Sequence, residues 1–292
     1  MTRSTRAGLV RLGHGCWVPP EVADDLAGRC LALLDHVAPD SVITSVTAAR
    51  LHGAWLPNLP NTLHVATASP DRVGRAMSRS RRNQVVAHRL QLEPQDVMVL
   101  GGVPILTPAR TWRDLADSLS LPDLVAAGDS ILRMGAAPED LADVVRRTGG
   151  RRGSARARAA LPLLDARSRS RPESHLRVAI SAPDLPRFEV NVPVFRAEGG
   201  WLAEPDLSLA DAKLALEYQG EDHARLDRMR ADITRGRDLR MDGWAFLAFG
   251  PAEVFGRPWT IAPEVRSLVL ERAPHLIRAT RRRGRHIARV VR

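Results

Sequence analysis

Two acidic residues stand where strand geometry would bring them together: Asp206, directly after Pro205, and Glu217, followed by Tyr218 and Gln219. The stretch Ala203–His223 reads as two short strands joined by a tight turn near Asp211. Side chains alternate faces along a strand, so Glu217 and Gln219 share one face and Tyr218 takes the other. Antiparallel pairing about residues 209–212 puts Asp206 close to the level of Glu217. Converging carboxylates repel each other unless a proton or a cation relieves them. A hard divalent cation such as Mg2+ takes oxygen ligands of this kind. Lys213 lies on the Glu217 face but roughly 13 Å along the strand, and reads as a surface lysine.

The elements that must hold these residues can be read from the pattern of the second half. Ser170 or Ser174 begins a helix through Ile180, with Glu173 in or beside its first turn. Phe188–Phe195 alternates as a half-buried strand, with Pro193 hinting at an edge or bulge. Gly199-Gly200 turns into a strand over Trp201–Leu207, and Lys213–Tyr218 follows as the third. A helix from His223 to about Met241, a strand over Trp244–Phe249 and a helix over Pro258–Arg272 complete an order α-β-β-β-α-β-α.

Pro205-Asp206 and Glu217-Tyr218-Gln219 resemble the PD-(D/E)xK nuclease motif, in particular the DUF559-type branch related to very-short-patch-repair endonucleases. Glu173 in Arg-Pro-Glu-Ser-His-Leu-Arg, Gly220, His223, the basic run Arg225 to Arg240 and Gly243-Trp-Ala-Phe-Leu-Ala-Phe249 follow that branch in order. The resemblance implies an α/β (α+β) fold whose C-terminal half is a restriction-endonuclease-like core, a mixed central sheet flanked by helices. It implies metal-dependent hydrolysis of DNA phosphodiester bonds, in repair or phage defence, with Mg2+ or Mn2+ held by Asp206, Glu217 and Glu173. A metal ion activates water and relieves charge on the scissile phosphate. Gln219 stands where the family has a lysine; it can position water but cannot take its proton. His223 is then the candidate general base or acid. Arg225, Arg228 and Arg235 are the candidate contacts to backbone phosphates.

The first half shows a ribbon over residues 9–19 and helices over Pro20–His36 and Ser41–Leu51. Strands follow at Leu63–Thr67, Gln84–Arg89 and Val97–Leu100. Thr107 then caps a helix with Pro108 at its first position, and helices fit Pro122–Met134 and Pro138–Arg147. His14, His52, His64 and His88 are scattered, without metal spacing, and read as ordinary surface or core residues. Arg11-Leu-Gly-His-Gly-Cys-Trp-Val18, Thr47-Ala-Ala-Arg-Leu-His-Gly53 and Thr107-Pro-Ala-Arg-Thr-Trp-Arg-Asp-Leu115 resemble the AbiEi-type antitoxins. Members of that family usually begin with a complete winged helix-turn-helix, of which only the last ribbon is recognisable here. This second resemblance implies a mixed α+β N-terminal domain and two alternatives to the nuclease: a non-catalytic DNA-binding, antitoxin-like regulator that keeps the nuclease fold, and a structural adaptor whose N-terminal half docks a toxin or nucleotidyltransferase partner. The domain reading is 1–148 antitoxin-like, 149–171 basic linker, 172–272 nuclease-like and 273–292 an Arg-rich tail.

The chain has 292 residues, 44% hydrophobic and 26% charged, enough for two separate cores. A net charge of +10 favours a polyanion such as DNA as partner. Nearly all the basic residues are arginine, Lys213 being the lone lysine, as high-GC genomes such as those of actinobacteria encode. Two cysteines, Cys16 and Cys30, lack partners at ligand spacing and read as packing residues. No apolar run is long enough to span a bilayer, and the N-terminus lacks a signal-like apolar core, so a cytoplasmic location is expected.

Overall fold

A computed structural model describes residues 8–12, 15–67, 85–196, 198–220 and 236–278. His14, the basic loop at 72–82, His223, Arg225, Arg228, Arg235 and the tail beyond residue 278 lie outside the described residues. The expected mixed α+β class is what these residues form. They divide into two compact units, 1–119 with 135–158, and 120–134 with 159–292.

In the first unit a ribbon pairs β1 (Val10–Arg11) with β2 (Trp17–Val18). The main sheet runs β5 (Val85–Arg89), β4 (Leu63–Thr67), β3 (Val42–Ile43), β7 (Val103–Leu106), β6 (Val97–Leu100). β4 and β5 are parallel, as are β3 and β7; the β3–β4 and β6–β7 pairs are antiparallel. Leu63, Val65, Ile43 and Ile105 point into one core with Cys30 and Leu33, as the apolar alternation requires. The strand β7 has no counterpart in the sequence reading, and two expected helices are altered. The helix expected over Pro20–His36 is two helices, Pro20–Asp24 and Leu26–Leu34, because Asp25 is extended and caps the second by accepting from the Ala27 and Gly28 amides. The helix expected from Ser41 begins only at Ser45; β3 and the extended Thr44 precede it.

The helix Pro108–Leu115 organises this unit. Thr107 caps it as its sequence predicts, its hydroxyl accepting from the Arg110 amide. Arg110, Trp112 and Arg113 on this helix are all buried. Arg110 reaches Asp96 at 2.5 Å, Asp114 at 3.2 Å and the Gln91 carbonyl at 3.1 Å. Arg147 closes on the other Asp96 oxygen at 2.9 Å. Arg113 donates to the Thr148 hydroxyl at 2.8 Å and to the Arg152 carbonyl and Ser154 hydroxyl at 3.0 Å.

In the second unit the sheet order is β13 (Ala245–Phe249), β12 (Leu214–Tyr218), β11 (Leu207–Leu209), β8 (Glu189–Val190). β11 and β12 pair antiparallel with Leu207 opposite Leu216, and β12 and β13 are parallel. The turn between β11 and β12 is a 3-10 turn closed by Lys213 in the left-handed region, φ 45°. Lys213 Nζ donates to the Asp242 carbonyl at 2.7 Å, so this lysine has a local structural role. The single strand expected over Phe188–Phe195 is divided: Asn191, at φ 48°, and Pro193 separate β8 from β9 (Val194–Phe195). The next expected strand also divides around Glu204-Pro205-Asp206, into β10 (Trp201–Ala203), which forms a hairpin with β9, and β11. The expected final helix begins as a 3-10 turn, Pro258–Thr260, and becomes α-helical at Ile261–Arg272.

The helix Leu121–Arg133 sits with the second unit, held by polar side chains on the helix Arg171–Ala179. Asp123 accepts from Arg171 at 2.7 Å and lies 3.0 Å from His175 Nε2. Asp129, fully buried, accepts from Ser174 at 2.6 Å, from the Asp165 amide at 2.7 Å and from Arg177. The stretch read as a linker, 149–171, carries a helix of its own, Ser154–Ala160, and the Ser170 cap of the next. Removing one partner of a buried ion pair strands the other charge. Arg177→Met is therefore expected to cost about 3–5 kcal/mol in urea unfolding followed by tryptophan fluorescence. A loss below about 1 kcal/mol would mean that Arg177 contributes no more than an exposed pair does.

Candidate functional site

The acidic residues singled out by sequence lie in the second unit. One step beyond the Leu207–Leu216 pair, the antiparallel register sets Asp206 opposite Glu217, as expected. Asp206 Oδ2 accepts a hydrogen bond from the Tyr218 amide at 2.8 Å. Glu217 is buried, neither acid is without a further partner, and Gln219 is exposed at the end of β12. Glu173 is committed elsewhere: its Oε2 accepts from the Arg169 amide and from Asn191 Nδ2, both at 2.8 Å. The left-handed turn at Asn191 delivers that amide, while the Asn191 backbone N–H holds the Asp206 carbonyl at 3.0 Å. Glu173 and Asp206 are thus tied to the same asparagine, one by carboxylate and one by carbonyl. Among the described residues no three His, Cys, Asp or Glu side chains are grouped to hold a metal ion. A three-carboxylate Mg2+ or Mn2+ site does not fit Glu173, Asp206 and Glu217 as they stand.

The first unit holds a more developed concavity. β4 and β5 are parallel with His64 beside Val86 and Ala66 beside His88, so both histidines fall on the sheet face opposite Leu63 and Val65. On that face the imidazoles stack, ring centres 5.1 Å apart, with His64 Nδ1 2.9 Å from His88 Nε2. Thr62 Oγ1 lies 3.0 Å from His64 Nε2, making a chain Thr62–His64–His88 that ends at His88 Nδ1. Burial, then the neighbouring His88 and Arg50, pushes His64 down to about 4. Burial also lowers His88, against the opposing pull of Asp117. Both rings are therefore neutral at neutral pH, one nitrogen of each donating and the other accepting.

These rings line a cleft of about 790 Å³. Its walls come from the start of the Ser45–Leu51 helix, the segment 59–62, the Gln91 region, the end of the Pro108–Leu115 helix and the turn at 151–152. Arg110 and Arg113 fix several of these walls through their bonds to Gln91, Thr148, Arg152 and Ser154. Ser45 holds φ 53° in the wall, a conformation uncommon outside glycine that recurs at ligand clamps. Thr44, 1% exposed, lines the cleft too, and its buried hydroxyl has no hydrogen-bond partner among the described residues. Sequence reasoning placed His64 and His88 in ordinary roles. Alternation with Leu63 and Val65 gives His64 a face, but the parallel pairing that brings His88 beside it spans the segment 68–84 and leaves no local mark.

Residues 41–163 match the AbiEi antitoxin C-terminal domain family. Every residue lining the cleft falls inside that span. Two strains of Mycobacterium tuberculosis each carry an uncharacterized protein that is 31% identical over 274 residues, covering 93% of this chain and 94% of the relative. No solved structure matches the chain. The match thus bears on the antitoxin resemblance and ends ahead of the stretch that resembles nucleases. Among the described residues, no helix is long and apolar enough to cross a membrane.

Because the folded protein keeps His64 and His88 neutral, the unfolded chain takes up protons first as pH falls. The stability tied to the pair is present above the ordinary histidine value of 6.5 and is lost as pH falls toward the His64 value of about 4. The melting-temperature gap between wild type and His64→Gln should fall by about 2–4 °C between pH 7 and pH 4.5, corresponding to about 1 kcal/mol. A gap that stays constant over this range would show that the pair is not held neutral by the fold.

Proposed function

The chain belongs to the family of these mycobacterial proteins, and on that premise we propose that it acts as a non-catalytic, antitoxin-like DNA-binding regulator that docks a toxin of nucleotidyltransferase type. The observation that carries this reading is the antitoxin-domain match at residues 41–163, whose cleft-lining residues all lie in the first unit. In this reading the first unit receives the toxin, and the +10 net charge supplies affinity for the DNA backbone. Phosphate contacts of that kind weaken steeply with salt and need no metal ion.

Two measurements test it. Each gene flanking this one is expressed alone and together with this chain; growth arrest by one neighbour, relieved by this chain, is the expected result. Absence of any relieved toxicity contradicts the antitoxin role. In parallel, the full chain should shift a duplex from its own upstream region in the presence of EDTA. Affinity should fall at least tenfold between 50 and 200 mM salt, on the order expected for a few neutralised phosphates.

A second reading, phosphodiester hydrolysis by the second unit, has in its favour the level of Asp206 with Glu217 and the exposed Gln219 beside them. The commitment of Glu173 to Arg169 and Asn191 stands against it. Plasmid nicking with Mg2+ or Mn2+ separates the two readings. The regulator leaves plasmid intact, whereas metal-dependent nicking abolished by Asp206→Ala would establish the hydrolase.

A further inference from the structure

We propose that the cleft on the His64–His88 face of the first unit binds a nucleoside phosphate. The inference goes beyond the proposed function by assigning this cleft a small-molecule ligand. Charge is the first argument. The two aspartates lining the cleft are already engaged, Asp114 by Arg110 at 3.2 Å and Asp117 by Arg113 at 3.5 Å. Arg89, Arg151 and Arg152 line it as well, and among the described residues none of them has a carboxylate in ion-pair range. Arg151 gives its guanidinium to the neutral Gln91 carbonyl and Oε1, each at 3.3 Å. A concave surface with surplus cations concentrates anions. Guanidinium forks match phosphate oxygens in particular.

Size and lining narrow the anion. The cleft, about 790 Å³, is within the range of roughly 300–1,000 Å³ typical of small-molecule sites. Inorganic phosphate would fill little of it. Val46, Leu59, Pro60, Leu90 and Leu119 supply an apolar surface on which a base and ribose can rest. The volume suits one nucleotide rather than a strand.

Two polar groups remain for the nucleoside. His88 Nδ1 ends the Thr62–His64–His88 chain and, depending on the tautomer, donates to or accepts from a ligand. Among the described residues Thr44 Oγ1 is buried without a hydrogen-bond partner, a cost that a ligand atom relieves.

The test is calorimetric titration of the full chain with AMP, GMP, CMP and UMP, with the matching nucleosides and with inorganic phosphate. Saturable one-to-one binding of at least one monophosphate is expected, weakened roughly tenfold or more when the phosphate is absent, as loss of charge-assisted bonds implies. The exposed pair Arg89→Ala with Arg152→Ala should weaken the same nucleotide at least tenfold while leaving the unfolding midpoint unchanged. Thr44→Val, close in shape but without the hydroxyl, should weaken it severalfold without lowering that midpoint. The proposal is overturned if none of the four monophosphates binds. It is equally overturned if both variants bind like wild type, or if inorganic phosphate binds as tightly as the nucleotides.

Discussion

Two arginines buried on one short helix set the form of the first unit. A guanidinium cannot shed its charge, so burying it demands acceptors on every side. Arg110 meets that demand with Asp96, Asp114 and the Gln91 carbonyl, and Arg113 with Thr148, Arg152, Ser154 and Asp117. Asp114 and Asp117 are local partners one turn along, whereas the distant acceptors fall on two other stretches, 91–96 and 148–154, so satisfying the arginines fixes where those two stretches run. Arg147, on the same Asp96 carboxylate, extends the arrangement to a second helix. The cleft is one consequence: its Gln91 wall and its 151–152 wall are held by the same helix that also contributes Arg113 and Asp114 to its lining.

The second unit applies the same rule with a different ending. Asp123 and Asp129 on one helix take their donors from Arg171, His175, Ser174 and Arg177 on another. Glu173, one turn away, is drawn into the same economy by Asn191 and the Arg169 amide. Both bonds fall on Oε2, which fixes the direction of this carboxylate. Glu173 is held by Arg169 and Asn191 while Asp206 stands level with Glu217, and the antitoxin reading leads because the family match covers residues 41–163.

What could be read from the sequence was what local chemistry decides. The Thr107-Pro108 start was legible because a cap needs only its own helix, and Ser170, one of the two serines offered as the next start, is the one that caps. The Asp206–Glu217 level was legible because the Asp211 turn fixes the register between neighbouring strands. Three features were not. Thr44 and β3 interrupt an apparently continuous helical run, since β3 gains pairs with β4 and β7 that no local preference reports. Asn191 breaks an alternating strand by entering the left-handed region, and its reward is the distant Glu173 carboxylate. The His64–His88 pair depends on parallel strands whose pairing the intervening residues do not encode.

If buried guanidinium groups hold the cleft walls, the strength of their bonds must appear as coupling between partners. A double-mutant cycle on Arg110 and Asp96, using Arg110→Met, Asp96→Asn and the combination in urea unfolding, measures it directly. The account predicts a coupling energy of about 2–3 kcal/mol, the combined variant being far less destabilised than the sum of the single ones. A coupling below about 0.5 kcal/mol, with additive losses, would contradict it.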